Sequence, residues 1–152
     1  RPAPRGSPDL TQLPISSKFV PMASALTRDV ATRPIDDGAA KRAFFRIMDA
    51  WQVSDPEARV LLGSPSRSTF YNYKRGEGGA LSADTLERIS YVLGIYKALQ
   101  LLFTNPQQAD EWIRKPNQAF GGRSALAHAL GGHVVDLADV RRFLDAVRGG
   151  GL

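Results

Sequence analysis

Apolar residues recur at three- and four-residue intervals through most of this chain, and no segment of useful length alternates as a half-buried strand would. Such spacing places side chains on one face of an α-helix, where they can be buried together. The first clear stripe begins after Lys41 and consists of Phe44, Ile47, Met48 and Trp51. The pattern predicts an all-α fold built around one core.

Two helix-start signals follow each other closely after this stripe. The segment SDPE at 54–57 has the composition of an N-cap and first turn, and Gly63 can adopt the left-handed conformation that ends a helix. The pair Ser-Pro at 64–65 then repeats the start signal, and SRSTFYNYKR continues from it to Gly76. A helix, a tight glycine-containing turn and a second helix predict a helix-turn-helix.

Later segments also begin at capping residues. A long helix is predicted from Ser82 to Phe103, with Gly94 as a point that kinks or divides it. Further helices are predicted from Asn105 to before Pro116, over 124–130, and after the glycine pair at 131–132.

Prolines are concentrated at the start of the chain. Six of the ten fall in residues 1–40, where each removes a backbone donor and restricts the residue before it. This predicts an extended arm, with a short helix over 23–31 as the alternative. The chain is therefore divided into a proline-rich arm (1–40), a helix-turn-helix region (41–104) and a C-terminal helical module (105–152).

Composition narrows the class of protein. The chain has 152 residues, 43% of them apolar, and carries a net charge of +5 whose excess lies in residues 41–80. A local excess of basic residues can bind nucleic acid, although it is also found on ordinary solvated surfaces. Cysteine is absent and no apolar run reaches the ~20 residues that cross a bilayer. We expect a cytoplasmic protein with no membrane segment.

Enzymatic signatures are missing. The chain has no nucleophile elbow, no phosphate-binding loop and no zinc-protease motif. Its two histidines, His128 and His133, flank a double glycine and do not share a helix face, so a metal site is not expected. We predict a non-enzyme without a metal or cofactor of its own.

The second helix of the helix-turn-helix invites a DNA-binding interpretation. Phe70 and Tyr73 can face inward together, which leaves polar and basic side chains on the opposite face. Arginine and asparagine can contact base edges, and hydroxyls commonly hold phosphate oxygens. The alternative is a helical corner whose charges are merely solvated. The predicted DNA-binding residues are Arg67, Ser68, Tyr71, Asn72, Lys74 and Arg75.

Two further features lie in the C-terminal module. The loop KPNQAFGG has a glycine pair and follows Trp112, for which packing in the core is the favoured interpretation. For Asn117 and Phe120 both packing and binding stay open. Arginines precede the glycine-rich tail 149–152, which could enter an anionic or phosphate-handling pocket or be only a frayed end.

From about Ala43 to Gly150 the chain resembles the Xre/MbcA/ParS-like antitoxin family, whose members pair with RES-domain toxins. The resemblance is strongest in WIRKPNQAFGGRSALAHALGG and the following VVDLADVRRFLDAVRGG. The segments RAFFRIMDAW, RSTFYNYKRG and LERISYVLGIYKALQLLF resemble the family's Xre-like helix-turn-helix part. Ala125 and Ala127 depart from the pattern, because relatives often carry proline and glutamate there.

The resemblance implies an antitoxin that binds a cognate RES-domain toxin and blocks the site where that toxin consumes NAD or transfers ADP-ribose. Family members often repress their own operon, so operator DNA is an expected partner, and a homodimer within a hetero-oligomeric complex is expected. The alternatives are a repressor that acts only on DNA and a structural adaptor. Carried onto this sequence, the toxin-binding residues are Arg141, Arg148, Gly149, Gly150, Gly151 and Leu152, together with Asn117 and Phe120.

Overall fold

A computed structural model describes residues 36–150. The described part is helical, which confirms the predicted all-α fold, and a single-turn 3-10 helix at Gln118–Phe120 precedes α6. The predicted arm up to residue 35, with its alternative helix over 23–31, lies outside the described residues, as do Gly151 and Leu152. The helices are α1 (Asp37–Ala50), α2 (Asp55–Leu61), α3 (Arg67–Lys74), α4 (Ala83–Leu102), α5 (Pro106–Trp112), α6 (Ala125–Ala129) and α7 (Val134–Arg148).

Four helices begin at the predicted residues, with Ser54 capping α2, Ser82 capping α4, Asn105 capping α5 and Ser124 capping α6, and two starts differ. Ser54 and Glu57 form the predicted capping box at the start of α2. Helix α3 is capped by Ser66, not Ser64, because Ser64 has a φ of +59° and belongs to the turn. Helix α1 begins at Asp37, earlier than the change of pattern at Lys41, because Asp36 Oδ2 accepts a hydrogen bond from the Ala39 N–H at 3.0 Å.

Helix α4 is the centre of the molecule and packs against α1, α5 and α7. It runs from Ala83 to Leu102 as one helix, so of the two alternatives at Gly94, a kink or a division, the division is wrong. Its buried face includes Ile89, Val92 and Leu99. Because α4 packs against α1 as well as against α5 and α7, the helix-turn-helix region and the C-terminal module share one core. Among residues 36–150, no helix is both long and apolar enough to cross a membrane.

Three arginines join the C-terminal module to the rest of the fold. Arg114 Nε donates to the carbonyl oxygen of Trp51 at 2.7 Å, in the turn between α1 and α2. Arg88 Nη1, on α4, donates to the carbonyl oxygen of Gly132 at 2.9 Å. Arg141, on α7, lies across α4 at Gly94. These contacts fix the module against the turn after α1 and against α4.

Candidate functional site

Helices α2 and α3 form a helix-turn-helix corner. Leu61, Leu62 and Phe70 are fully buried and hold the two helices against the core. The turn between them contains Gly63 at a φ of +92°, where a Cβ would lie 3.0 Å from Arg88 Nε and 3.1 Å from Asp84 Oδ2. The left-handed backbone favours glycine at this position, and any side chain would also have to move Arg88 or Asp84 slightly. The predicted helix-turn-helix is therefore present.

The outer face of α3 is polar. Phe70 is buried against the ring of Phe45 at 5.4 Å, and Tyr73 packs partly on the core, so these two side chains face inward as predicted. The structure places the six predicted DNA-binding residues around the remaining surface. Asn72 is half-buried, and the exposed members are Arg67, Ser68, Tyr71, Lys74 and Arg75.

The cations of this face differ in their partners. Lys74 Nζ lies 2.8 Å from Asp55 Oδ1, and this hydrogen bond raises the pKa of Lys74 above its usual value. Arg75 lies 3.5 Å from Glu77 and also donates to Asn72. Within residues 36–150, Arg67 forms no side-chain ion pair. It lines a groove of about 220 Å³ together with Asp55, Pro56, Arg59, Phe70 and Tyr71.

Sequence reasoning missed a buried lysine behind this face. Lys41 is 4% exposed, and its Nζ donates to the carbonyl oxygens of Glu77 at 2.9 Å and Gly79 at 2.6 Å. The ammonium also lies 5.1 Å from the centre of the Tyr73 ring. Lys41 therefore fastens the loop after α3 to α1. Its position three residues before Phe44, on the same apolar stripe, was the signal that could have revealed it.

The loop between α5 and α6 is closed by its own backbone. The Asn117 N–H donates to the carbonyl oxygen of Arg123 at 3.0 Å, and Asn117 Oδ1 accepts from the Ala119 N–H at 2.8 Å. Gly121 and Gly122 both have positive φ, at 68° and 85°. Asn117 is half-buried, so its amide organises the loop first and offers only part of its surface to a partner.

Phe143 on α7 is the second residue that sequence reasoning missed. Its ring stacks on Trp112 at 6.1 Å between centroids and meets the edge of Phe120 at 5.6 Å. Trp112 is 2% exposed, which confirms its predicted packing in the core, and Phe120 is 8% exposed. The predicted stripe of α7 omitted Phe143, because this side chain covers the loop at the edge of the core rather than the centre of α4.

His128, Asp136 and Asp139 place one ligand atom each within 4.8 Å of one another. Intramolecular partners already engage these atoms. His128 Nε2 is 2.8 Å from Asp139 Oδ2, Asp136 Oδ2 accepts from the His133 N–H at 3.1 Å, and Asp139 also pairs with Arg142. The sequence did not place these side chains together. These contacts account for their approach, and the absence of a metal stays a prediction.

The end of α7 brings two predicted toxin-binding arginines together. Arg141 and Arg148 both pair with Asp145, at 3.1 and 3.3 Å, and their side chains are 20% and 11% exposed. Burial lowers the pKa of Arg148 below its usual value. Gly149 and Gly150 are exposed and end the helix. Arg141 and Arg148 are therefore packed side chains, whereas the glycines present backbone to solvent.

The fold and these surfaces define a class of protein, a helix-turn-helix protein with an appended helical module. The recognition-type helix α3 is held by the corner with α2 and by Lys41. The module of α5, α6 and α7 is fixed to α4 and carries its own exposed glycine-rich end.

Comparison with known proteins identifies the family. Residues 30–94 match the antitoxin Xre-like helix-turn-helix domain, and residues 98–150 match the antitoxin Xre/MbcA/ParS C-terminal toxin-binding domain. A Sinorhizobium fredii protein named uncharacterized protein y4oB is 54% identical over 112 residues, which are 74% of this chain and 86% of the relative. The chain belongs to the Xre/MbcA/ParS antitoxin family.

Membership assigns the chain the role of an antitoxin in a toxin–antitoxin system, with a toxin as its partner. The helix-turn-helix indicates DNA binding, and neither family is enzymatic. The two matched regions meet between residues 94 and 98, inside the continuous helix α4.

Proposed function

We propose that this antitoxin neutralises a RES-domain toxin by covering the toxin's NAD site with the end of α7 and the residues after it. The observation that carries the proposal is the match to a toxin-binding domain, which extends through α7 to residue 150. The RES-domain class of toxin follows from the resemblance of WIRKPNQAFGG and RGG to the family pattern. The NAD chemistry belongs to the toxin.

The inhibitory contact is assigned to the tail 149–152, with Arg141, Arg148, Asn117 and Phe120 beside it. Gly149 and Gly150 are exposed, and glycine lets a partner's polar groups approach the backbone closely. Peptide N–H and C=O groups can replace the hydrogen bonds that a dinucleotide makes in a cleft. Since Phe120 and Arg148 are largely buried, Gly149 and Gly150 are the more accessible members of this group.

The experiment is inhibition of the toxin encoded beside this gene, measured as NAD consumption against antitoxin concentration. Deletion of Gly149–Leu152 is expected to raise the antitoxin concentration needed for half-inhibition by at least about 100-fold, since the residues assigned to the cleft are lost. Arg142→Gln is the matched control, because Arg142 is an exposed arginine of the same helix. Undiminished inhibition by the deleted protein would contradict the proposal.

We further propose that the antitoxin represses its own operon in the cytoplasm, as a homodimer whose α3 helices enter successive major grooves. The support is the polar face of α3 in a helix-turn-helix, since paired recognition helices read half-sites about one DNA turn apart. A repressor that acts only on DNA is the second candidate. It would bind operator DNA and leave the activity of the neighbouring toxin unchanged.

A further inference from the structure

Arg141, on α7, lies against α4 at Gly94, where a larger residue would displace its guanidinium. A Cβ built on Gly94 would lie 1.6 Å from Arg141 Nη1 and 2.8 Å from Arg141 Cζ. Gly94 has ordinary helical geometry within α4, so the reason for glycine here is space and not backbone conformation. Glycine inside a helix is otherwise unfavourable. The guanidinium of Arg141 therefore occupies a notch in α4.

One carboxylate connects this notch to the last turn of α7. Arg141 Nε donates to Asp145 Oδ1 and Oδ2 at 3.1 and 3.2 Å, and Arg148 Nη1 donates to Asp145 Oδ1 at 3.3 Å. Asp145 thus lies between an arginine one turn before it and another one turn after it. Planar guanidinium groups hold fixed directions in such pairs. Asp145 therefore links the packing of Arg141 on α4 to the position of the Arg148 side chain.

The same turn sets the path of the chain beyond the helix. The Gly149 N–H donates to the carbonyl oxygen of Asp145 at 2.9 Å, and the Gly150 N–H donates to that of Val147 at 3.1 Å. Gly150 has a φ of +73°, the left-handed conformation that commonly follows a helix end. The direction in which the chain leaves α7 therefore depends on the turn that carries Asp145 and Arg148.

We propose that Gly94, Arg141, Asp145 and Arg148 form a positioning device that holds the exposed backbone of Gly149 and Gly150 in place for contact with the toxin. Arg141 and Arg148 then act through the tail and not by touching the toxin. This inference rests on the proposed function, inhibition by the tail. If the backbone of Gly149 and Gly150 is already fixed in the free antitoxin, less conformational entropy is lost on binding. Binding is then stronger without an additional contact.

The first test is Gly94→Ala, which displaces Arg141 while improving the helical propensity of α4. The dissociation constant for the toxin, measured by calorimetry, is expected to rise by about tenfold, with an unchanged melting temperature or a higher one. Amide exchange at Gly149 and Gly150 is expected to be faster. Unchanged affinity and unchanged exchange overturn the inference.

Asp145→Asn is the second variant, and it remains informative if Gly94→Ala fails to fold. Its matched control is Asp139→Asn, which removes a carboxylate that pairs with Arg142 on the same helix. Loss of toxin affinity is expected for the change at Asp145 and not for the change at Asp139. Equal losses overturn the inference.

Both variants are then combined with the deletion of Gly149–Leu152, which removes the whole tail. A device that acts through the tail has no further effect once the tail is removed, whereas direct contact or general destabilisation weakens binding equally in both backgrounds. Equal effects overturn the inference. A deletion that leaves toxin affinity intact counts against the tail contact itself, whatever the result at Gly94.

Discussion

Lys41 lies beneath the loop that follows α3, with its charge directed to two backbone carbonyl oxygens and the face of Tyr73. Lysine is seldom this deeply buried unless its ammonium is satisfied. A second contact supports the same loop, because Asp37 Oδ2 accepts from the Leu81 N–H at 2.8 Å. The start of α1 thus holds the loop that ends the recognition helix and leads into α4.

Replacing Lys41 by methionine is expected to lower the free energy of unfolding by about 2–3 kcal/mol, because two carbonyl oxygens lose their donor. The side-chain volume is nearly kept, so the loss reports the hydrogen bonds. Urea denaturation followed by circular dichroism measures it. The control is Lys97→Met at an exposed position of α4, where about 0.5 kcal/mol or less is expected. A similar loss in both variants would show that the ammonium contacts are not responsible.

Positions such as Lys41 mark what the sequence could and could not predict. The apolar stripe placed Lys41 on the inner face of α1, but only the folded loop supplies the two carbonyl oxygens that make a buried lysine stable there. Gly94 is similar. Its helix-breaking tendency predicted a kink or a division of α4, whereas its partner Arg141 comes from a segment about fifty residues later.

Helix α3 contains basic but no acidic side chains. The partners of these basic side chains decide which of them can contact DNA phosphates. Lys74 and Arg75 are held by Asp55 and Glu77, so phosphate contact must compete with these carboxylates. Arg67 has no such competitor on a carboxylate within residues 36–150, and it lies at the start of α3. Helix N-termini in addition favour anions such as phosphate.

Arg67→Gln is therefore expected to weaken operator binding and to reduce the slope of log affinity against log salt by about 1, the effect of one lost phosphate contact. Fluorescence anisotropy across a salt series measures both quantities. Arg46→Gln, an exposed arginine on α1, is the control and should leave the slope unchanged. Equal changes in the two variants would mean that net charge, and not the face of α3, determines the affinity.

At the scale of helices, local signals predicted most elements because capping is a short-range interaction. Ser54 and Glu57 act on their own turn, and the prediction of α2 was correct. The cap of α3 was placed at Ser64, two residues before Ser66, whereas Ser64 has a left-handed backbone and belongs to the turn. Phe143 was missed because its ring contacts, Trp112 and Phe120, come from an earlier segment of the chain and not from its own helix.

Each of the two tryptophans lies at the end of a helix that packs on α4. Trp51 ends α1 and Trp112 ends α5, and each is 2% exposed. Arg114 joins their neighbourhoods directly, since its Nε binds the carbonyl oxygen of Trp51. With one shared core, the helix-turn-helix and the C-terminal module are expected to unfold together.

Single-tryptophan variants, Trp51→Phe and Trp112→Phe, test this cooperativity. In each variant the fluorescence of the remaining tryptophan reports the unfolding of its own surroundings, either the helix-turn-helix region or the C-terminal module. Circular dichroism reports all helices. The two probes are expected to give the same urea midpoint within each variant, as a two-state transition requires. An earlier fluorescence transition in one variant would indicate two separately folding units.

Because α4 is one continuous helix, it also limits how related antitoxins can exchange their two regions by recombination. A recombination crossover between residues 94 and 98 joins one parent's DNA-facing half to another parent's toxin-facing half within a single helix. One inserted residue at the junction turns the following half by roughly 100°, because a helical turn takes about 3.6 residues. New pairings of operator and toxin can therefore arise by shuffling only when the crossover preserves the helical register.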